Sequence, residues 1–514
     1  MAIYVKIEKN RYIDSLQTLF TTALLNDHEG IEIGYVNMAN TAFKEVLRKE
    51  EMLLPEIEAL SDADFVMVAR CTSQKLFDEA VAAINKDAFS VSTDRSGTSF
   101  RTIQEAKAGH PEANICTIAV PGEYVLEEVV KALDAGLHCV VFSNNVPLED
   151  ERKMKELAVE KGLLCMGPDC GVANINGAAL VLASINNRGP FGICGASGTG
   201  IQHVAAILHE CETGISQAIG TGGNDLKEPV GGLMMQLGIS ALEADPDTKY
   251  IILISRKPAD SVLEVLLKKI GSCKKPVVVF FMGCDKALIE KHGGIFASNL
   301  DDCAEKALNL IGKTFSLDTE QEIRALAGKI AEGVNPKQKY LRGLYTGGTY
   351  MDEAMRTMEP VLGPVWSNAP LKSQFKLENS SVSKENTCVD YGEEEFTKGR
   401  PHPAIDPSVR RPAILKEAGD PEVAVILLDF ILTPPGHMEP VGYVLDDIKT
   451  AMDMAKAEGR KLVFIGTILG TDADLQNKKE QSEKLQEAGV VVCKTNHTAS
   501  RLATEIIKIL KERA

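Results

Sequence analysis

Along almost the whole chain, short runs rich in Val, Ile, Leu and Phe alternate with segments whose apolar residues recur every three or four positions. Short apolar runs bounded by turns read as strands buried on both faces, and the three-to-four spacing reads as helices with one buried stripe. Their alternation predicts βαβ units and parallel sheets. Residues 1–105 read strand (VKIEK), helix (SLQTLFTTALL), strand (IEIGYVNM), helix, strand (DFVMVA), helix (FDEAVAAI), and end in a polar linker, STDRSGTSFRT. Residues 106–187 hold the strand ICTIAVPG, the helix YVLEEVVKALDAG stopped at Gly136, the strand CVVFSNN with its helix, and LLCMGPDCG. Residues 188–337 begin with GPFGICGASGTG, carry the strands YIILIS and PVVVFFMG, and close on a charged connector helix, TEQEIRALAGKIAEGV. Residues 338–514 repeat the architecture with LRGLYTGG, VAVILLDF, KLVFIG and VVVC, interrupted by the polar insertion LENSSVSKENT. The expected fold class is α/β, with several doubly wound parallel-sheet domains.

Composition narrows the function. Across 514 residues, 56 Lys and Arg face 72 Asp and Glu, a formal net charge of -16. Such a field repels polyanions, which argues against nucleic acid and anionic membrane as partners. No window reaches the roughly 20 apolar residues that span a bilayer, and the first residues, MAIYVKIEKNRY, contain no long apolar stretch, so no signal peptide is expected. The twelve cysteines include no C-x-x-C pair and no zinc spacing. They read as free thiols of a reducing compartment, so a cytoplasmic protein without a metal site is expected.

Four glycine-rich loops carry the candidate chemistry. The strongest runs from Gly195 through Ala196, Ser197, Gly198 and Thr199 to Gly200, between the strand FGIC and the helix IQHVAAILHE. A loop entering a helix in this way leaves backbone N–H groups free beside the positive end of the helix dipole, an anion cradle. No lysine follows in the Walker A position. Gly222, Gly223 and Asn224 form a second loop, Gly347, Gly348 and Thr349 a third, and Asp169 and Cys170 lie in a fourth, GPDCG. All four stand at carboxyl ends of predicted strands, the edge where open α/β sheets bind ligands. Ser197 reads as a phosphate contact, because G-A-S-G-T lacks the G-x-S-x-G elbow of a hydrolase nucleophile.

In order along the chain, CMGPDCGVANINGAAL, GASGTG, IGTGGNDL, GGLMM, YLRGLYTGGT, DYGEEEFTKGRPHPAIDPS and DPEVAVILLDF resemble the FdrA family over nearly the whole length. The earlier segments follow the α subunit of succinyl-CoA synthetase, and LYTGGT with VAVILLDF looks like the ligase domain of its β subunit. The resemblance implies an N-terminal α/β domain over 1–105 and a Rossmann-like CoA-binding domain over 106–187. It further implies an α-like ligase domain with connector helix over 188–337 and a β-like flavodoxin-type domain over 338–514. FdrA-like proteins carry the label acyl-CoA synthetase. They are also implicated in anaerobic allantoin breakdown, a route of purine nitrogen catabolism, as a component of an oxamate carbamoyltransferase. That activity implies carbamoyl phosphate or phosphate as ligand, an anionic small-molecule substrate, further protein subunits and an oligomer. Two alternatives stand beside it. One is an acyl-CoA ligase component that binds CoA and works with an ATP-grasp partner. The other is a non-catalytic subunit that binds CoA or acyl phosphate.

Three departures from the synthetase pattern favour the transferase. The synthetase carries its phosphoryl group on a histidine in a glycine-rich loop. Here His292 is the corresponding histidine, or HGGIFASNLDDCAEKAL aligns with a later strand and helix and the loop is deleted. Where the β subunit has glycines, this chain has Asp390-Tyr391-Gly392-Glu393-Glu394-Glu395, an exposed acidic loop. Lys398, Arg400 and His402 follow, with Arg410 and Arg411, and concentrate positive charge in an acidic chain. Arg400 is the expected ligand for a carboxylate or phosphate, since its fork bonds in a bidentate manner. His402, between two prolines, is the expected acid–base group. No ATP-grasp domain precedes Tyr340.

Overall fold

A computed structural model of the chain describes residues 2–11, 13, 15–90, 100–397 and 401–513. The predicted linker lies largely outside them. In the first segment, β1 (Ala2–Glu8) and β2 (Ile31–Met38) both pair antiparallel with β3 (Phe65–Cys71), in the order β1-β3-β2. This corrects the expectation of a parallel sheet here. The helix Ser15–Asn26 does carry the chain from β1 to β2, but β3 inserts between them, a split βαβ unit. Both sheet faces are covered, one by Leu25, Phe77 and Ile84, the other by Phe43, Leu47 and Ile57. Hence DFVMVA looks like a buried parallel strand. The segment docks on the last domain, where Asn26 Nδ2 donates to Asp406 Oδ2 at 3.2 Å and His437 Nε2 meets Asp27 Oδ1 at 2.8 Å.

The rest follows the predicted α/β plan. A small parallel sheet orders β4 (Ile115–Ile118), β5 (His138–Val141) and β6 (Cys165–Met166). Next come β7 (Val172–Ile175) and β8 (Ala178–Val181), a hairpin whose Asn176-Gly177 turn has φ of 52° and 87° at its two residues, the dihedrals that a two-residue hairpin turn requires. With β9 (Arg188–Gly195), β10 (Ile215–Gly220), β11 (Tyr250–Arg256), β12 (Val277–Met282) and β13 (Ile295–Phe296) they form a seven-stranded sheet. Its order is β13-β12-β11-β9-β10-β7-β8, parallel from β13 to β10. The C-terminal sheet is parallel throughout. It orders β15-β16-β14-β17-β18-β19 from β14 (Tyr340–Tyr345), β15 (Trp366–Ser367), β16 (Thr387–Asp390), β17 (Val423–Ile431), β18 (Val463–Leu469) and β19 (Val491–Cys493).

A shared layer of helices joins the two large sheets. Ile201, Val204 and Leu208 from helix Gly198–Glu210, Met351, Met355 and Met358 from helix Gly348–Leu362, and Leu502 and Ile506 from helix Asn496–Arg513 belong to one continuous core. His203 lies within that layer, its ring bonded to Tyr350 OH at 2.6 Å and Asp301 Oδ1 at 2.8 Å. It is a packing residue whose polar atoms are satisfied, in a helix buried on every side from Gly200 to Leu208. Packing the two helices against each other brings their first turns, and so two glycine loops from different domains, to one place. Among the described residues, no helix is long and apolar enough to cross a membrane, and all twelve cysteines are free.

Candidate functional site

Both loops form for the same reason. A buried strand ends, glycines let the chain turn without side-chain obstruction, and a helix begins. After β9, Ser197 caps helix Gly198–Glu210 by accepting from Gly200 N at 3.0 Å. After β14, Gly347 stands before helix Gly348–Leu362. The two starts meet: Ser197 Oγ lies 2.7 Å from Thr349 Oγ1, across 152 positions of sequence. A Cβ on Gly347 would fall 3.0 Å from the Thr199 side chain, and one on Gly348 would run into Asp390 Oδ2. Glycine at 347 thus keeps the approach of Thr199 from the other domain unobstructed, and glycine at 348 makes room for Asp390. Two positive helix ends converge on one seam, which favours an anion.

Carboxylates hold the Gly347–Thr349 loop in place. Asp429, buried in β17, accepts from Thr346 N at 2.6 Å and Gly347 N at 2.9 Å. Arg410 stands behind it, donating to the Asp429 carbonyl at 2.6 Å with its guanidinium 3.5 Å from Asp429 Oδ1. Asp390, at the end of β16, accepts from Gly392 N at 2.8 Å through Oδ1, and its Oδ2 faces the helix start at Gly348. Burial, with Glu393 and then Asp429 nearby, pushes the Asp390 carboxyl up to about 8. At neutral pH it carries its proton and can donate it. Asp169 is open to solvent on one side and crowded by protein on the others. Burial, followed by Glu393 and Glu151, raises its carboxyl to about 6. Asp390 and Asp169 thus meet an anion with less negative charge than two ordinary carboxylates would. Glu395 is engaged with Asn368 and Ser380, and among the described residues no group of three or more His, Cys, Asp or Glu is arranged to hold a metal ion.

The remaining sequence candidates divide. The GPDCG and GTGGND loops pack back to back, with Gly222 against Pro168 and Gly167. The helix after the second loop, Leu233–Ala244, is already covered by the chain's own Asp225, which accepts from Met234 N at 3.1 Å and Met235 N at 2.9 Å. Asn224 turns to Glu151 at 3.2 Å. That loop is anchored by Lys155, fully buried between Glu151 at 2.7 Å and Asp225 at 3.1 Å. Cys170 does not line the cleft. Its thiol donates to the carbonyls of Val172 and Gly220, and burial pushes it up to about 12, so it is a packing group. His402 sits beside Gly392, its Nε2 3.0 Å from where a Cβ would stand. Burial and then the Arg410 charge lower it to about 4, and its Nδ1 accepts from Ala404 N at 3.2 Å. The imidazole is therefore held neutral, with Nδ1 accepting and its proton on Nε2, a hydrogen-bond donor beside Gly392. Arg400 lies outside the described residues. Arg410 and Arg411 are taken up by Asp429 and Asp447. His292 ends the short helix Lys286–Lys291, its Nδ1 donating to Leu288 O at 2.9 Å, before β13 begins. It therefore stands at the amino edge of a parallel sheet whose glycine loops leave the carboxyl edge.

The sequence did not point to Asp429 or to Arg256. Asp429 was legible as a lone carboxylate in the apolar run VAVILLDFI. Arg256, the last residue of β11, reaches across the seam to Asp352, with Nε 3.2 Å from Oδ2.

Family models match three stretches: CoA-ligase over residues 344–506, CoA binding domain over 186–283, and AllF, heavy metal-associated domain over 1–106. The uncharacterized protein YahF of Escherichia coli is 40% identical over 512 residues, covering 99% of each chain. The succinate–CoA ligase [ADP-forming] subunit alpha of Aquifex aeolicus is 30% identical over 193 residues, 36% of this chain and 61% of that subunit. Among solved structures, ATP citrate lyase from Methanothrix soehngenii in complex with citrate and coenzyme A is 13% identical with a TM-score of 0.36, covering 80% of this chain and 85% of that one. The paired glycine loops stand in or beside the stretches that match the CoA binding and CoA-ligase models, and the chain belongs to the family of YahF, built on CoA-binding and CoA-ligase domains of the succinyl-CoA synthetase type.

Proposed function

We propose that the chain is the FdrA-like component of a cytoplasmic carbamoyltransferase that interconverts oxamate plus carbamoyl phosphate with oxalurate plus phosphate, together with further subunits. The observation that carries this reading is the seam itself. Two helix starts meet at Ser197 and Thr349, a carboxyl that holds its proton stands beside them at Asp390, and His292 lies at the opposite edge. A phosphate dianion is held by the backbone N–H groups at the two helix starts. The oxamate amide nitrogen attacks the carbamoyl carbon, a C–N bond forms, and the C–O bond to phosphate breaks. Asp390 gives its proton to the departing phosphate oxygen and regains one from the amide nitrogen, so the carboxyl ends as it began. The same N–H groups stabilise the oxyanion that forms on the way. Proximity of the two reactants supplies much of the remaining rate.

An acyl-CoA ligase component is the second reading, favoured by the matches to the CoA binding and CoA-ligase models and by relatives that are named subunits of CoA ligases. Carbamoyl phosphate labelled with ¹³C, incubated with oxamate, the chain and candidate partner subunits, separates the two. Oxalurate resonances without added CoA support the transferase. CoA-dependent consumption of the acyl donor with no oxalurate sinks it. The cradle is tested by Gly198→Trp, whose side chain meets Val172, 3.2 Å from the Cβ position, and so displaces the first turn of the helix; a melting temperature close to that of the wild type shows that the fold is kept. The substitution is expected to weaken carbamoyl-phosphate binding at least about tenfold, or 1.4 kcal/mol, in calorimetry. Unchanged affinity would remove Ser197–Gly200 from the site.

A further inference from the structure

Helix starts attract any anion, and the seam at Ser197 and Thr349 does not by itself tell a carboxylate from a phosphate. A guanidinium fork does, because its paired N–H groups match the two oxygens of a carboxylate. Two arginines stand at the seam and share one acid. Asp352, one turn into helix Gly348–Leu362 and nearly buried, takes Arg256 Nε at 3.2 Å on Oδ2 and Arg356 Nε at 2.9 Å on Oδ1. The trio keeps one surplus positive charge. Each arginine spends its Nε on Asp352, and the side chains remain 54% and 44% exposed.

Their directions differ. Arg356 turns back toward the end of β12, with one terminal nitrogen 3.4 Å from the Cβ position of Gly283. Arg256 turns into the seam, with a terminal nitrogen 3.5 Å from the Cβ position of Gly348, the place that Asp390 Oδ2 also faces. The space over Gly348 is therefore bordered by a guanidinium, a carboxyl and the first N–H groups of a helix. We infer that Arg256 is the specificity-determining residue for the acid co-substrate: its free fork takes the carboxylate of a short planar acid, and Asp352 with Arg356 holds it in position. This rests on the reading that the seam holds a phosphate-bearing carbamoyl donor. It adds that the acceptor carries a carboxylate close to its reacting nitrogen, as oxamate does, so a simple amide or amine is a poor acceptor.

The test is calorimetry of the full chain with three probes used separately: oxamate, inorganic phosphate and carbamoyl phosphate. Arg256→Gln is expected to lose about tenfold to a hundredfold in oxamate affinity, the range of a charge-assisted pair of bonds, and to lose at least about fivefold less in affinity for inorganic phosphate, which keeps the helix N–H groups. Arg256→Lys is expected to fall between them, since an ammonium keeps the charge and loses the fork. Equal oxamate affinity in Arg256→Gln and wild type overturns the inference. A parallel loss of phosphate and oxamate binding also overturns it, by making Arg256 a general cation. Absence of oxamate binding in wild type does the same. Failure of wild type to bind carbamoyl phosphate while oxamate binding still depends on Arg256 overturns the transferase reading and leaves the carboxylate clamp standing.

Discussion

Asp390→Asn lowers the rate of carbamoyl transfer by about 10²–10⁴-fold, the usual contribution of a positioned proton donor, and leaves carbamoyl-phosphate binding largely intact. The amide keeps the shape and cannot give up a proton. The wild-type rate falls as pH rises through about 8, where the carboxyl loses its proton, and that limb is absent in the variant. The same substitution raises stability at high pH. Below the ordinary value of 3.8, both folded and unfolded chains carry the Asp390 proton and pH has no effect through this group. Between 3.8 and about 8 the folded chain holds a proton that the unfolded chain has lost, so stability declines as pH rises, by about 1.4 kcal/mol per unit. Above that window the cost is complete, and asparagine avoids it. Thermal melting at pH 5 and pH 9 checks this. The variant should gain on the wild type as pH rises, and a difference between the two that is the same at pH 5 and pH 9 would show that Asp390 is ionised at no cost.

Lys155→Met unfolds the neighbourhood of the second glycine loop. Lys155 has no exposed side-chain surface and bonds Glu151, Asp225 and the Thr221 carbonyl. Removing it leaves two carboxylates buried without their cation, which typically costs about 3–5 kcal/mol. Its folded pKa lies above the ordinary 10.5, so the stabilisation is fully present below 10.5 and is lost as pH rises from there through the folded value. Urea titration at pH 7 should therefore show the full effect. Adding Glu151→Gln and Asp225→Asn to Lys155→Met should restore much of it, because no buried charge then remains. A midpoint for Lys155→Met equal to that of the wild type would mean that the cluster is open to water.

How much of this was legible in the sequence depends on whether the signal is local. VAVILLDF, YIILIS and PVVVFFMG are unmistakable as buried parallel strands, and the loops after FGIC and LYT announce themselves by their glycines. The antiparallel pairing of β3 was not legible, because helices separate the strands in either topology and cover both faces of DFVMVA. The meeting of Ser197 with Thr349 joins loops from two domains, and no nearby spacing records it. Arg256 reads as an ordinary strand end until the second domain is packed against it. His402 was found by residue type, but its role turns on burial and on Arg410, neither of which a spacing reveals. Asp429 offered a signal that was passed over: a carboxylate inside nine buried residues must have partners, and here they are the N–H groups of Thr346 and Gly347.

The central claim is that the seam between the two helix starts is a site for a carbamoyl phosphate. Isothermal titration of the purified chain with carbamoyl phosphate, in parallel with CoA, tests it most directly. Saturable binding of carbamoyl phosphate at one site per chain, displaced by inorganic phosphate and weakened by Gly198→Trp, is the predicted result. Binding of CoA alone, with carbamoyl phosphate giving no heat beyond dilution, would contradict it and return the chain to the acyl-CoA ligases.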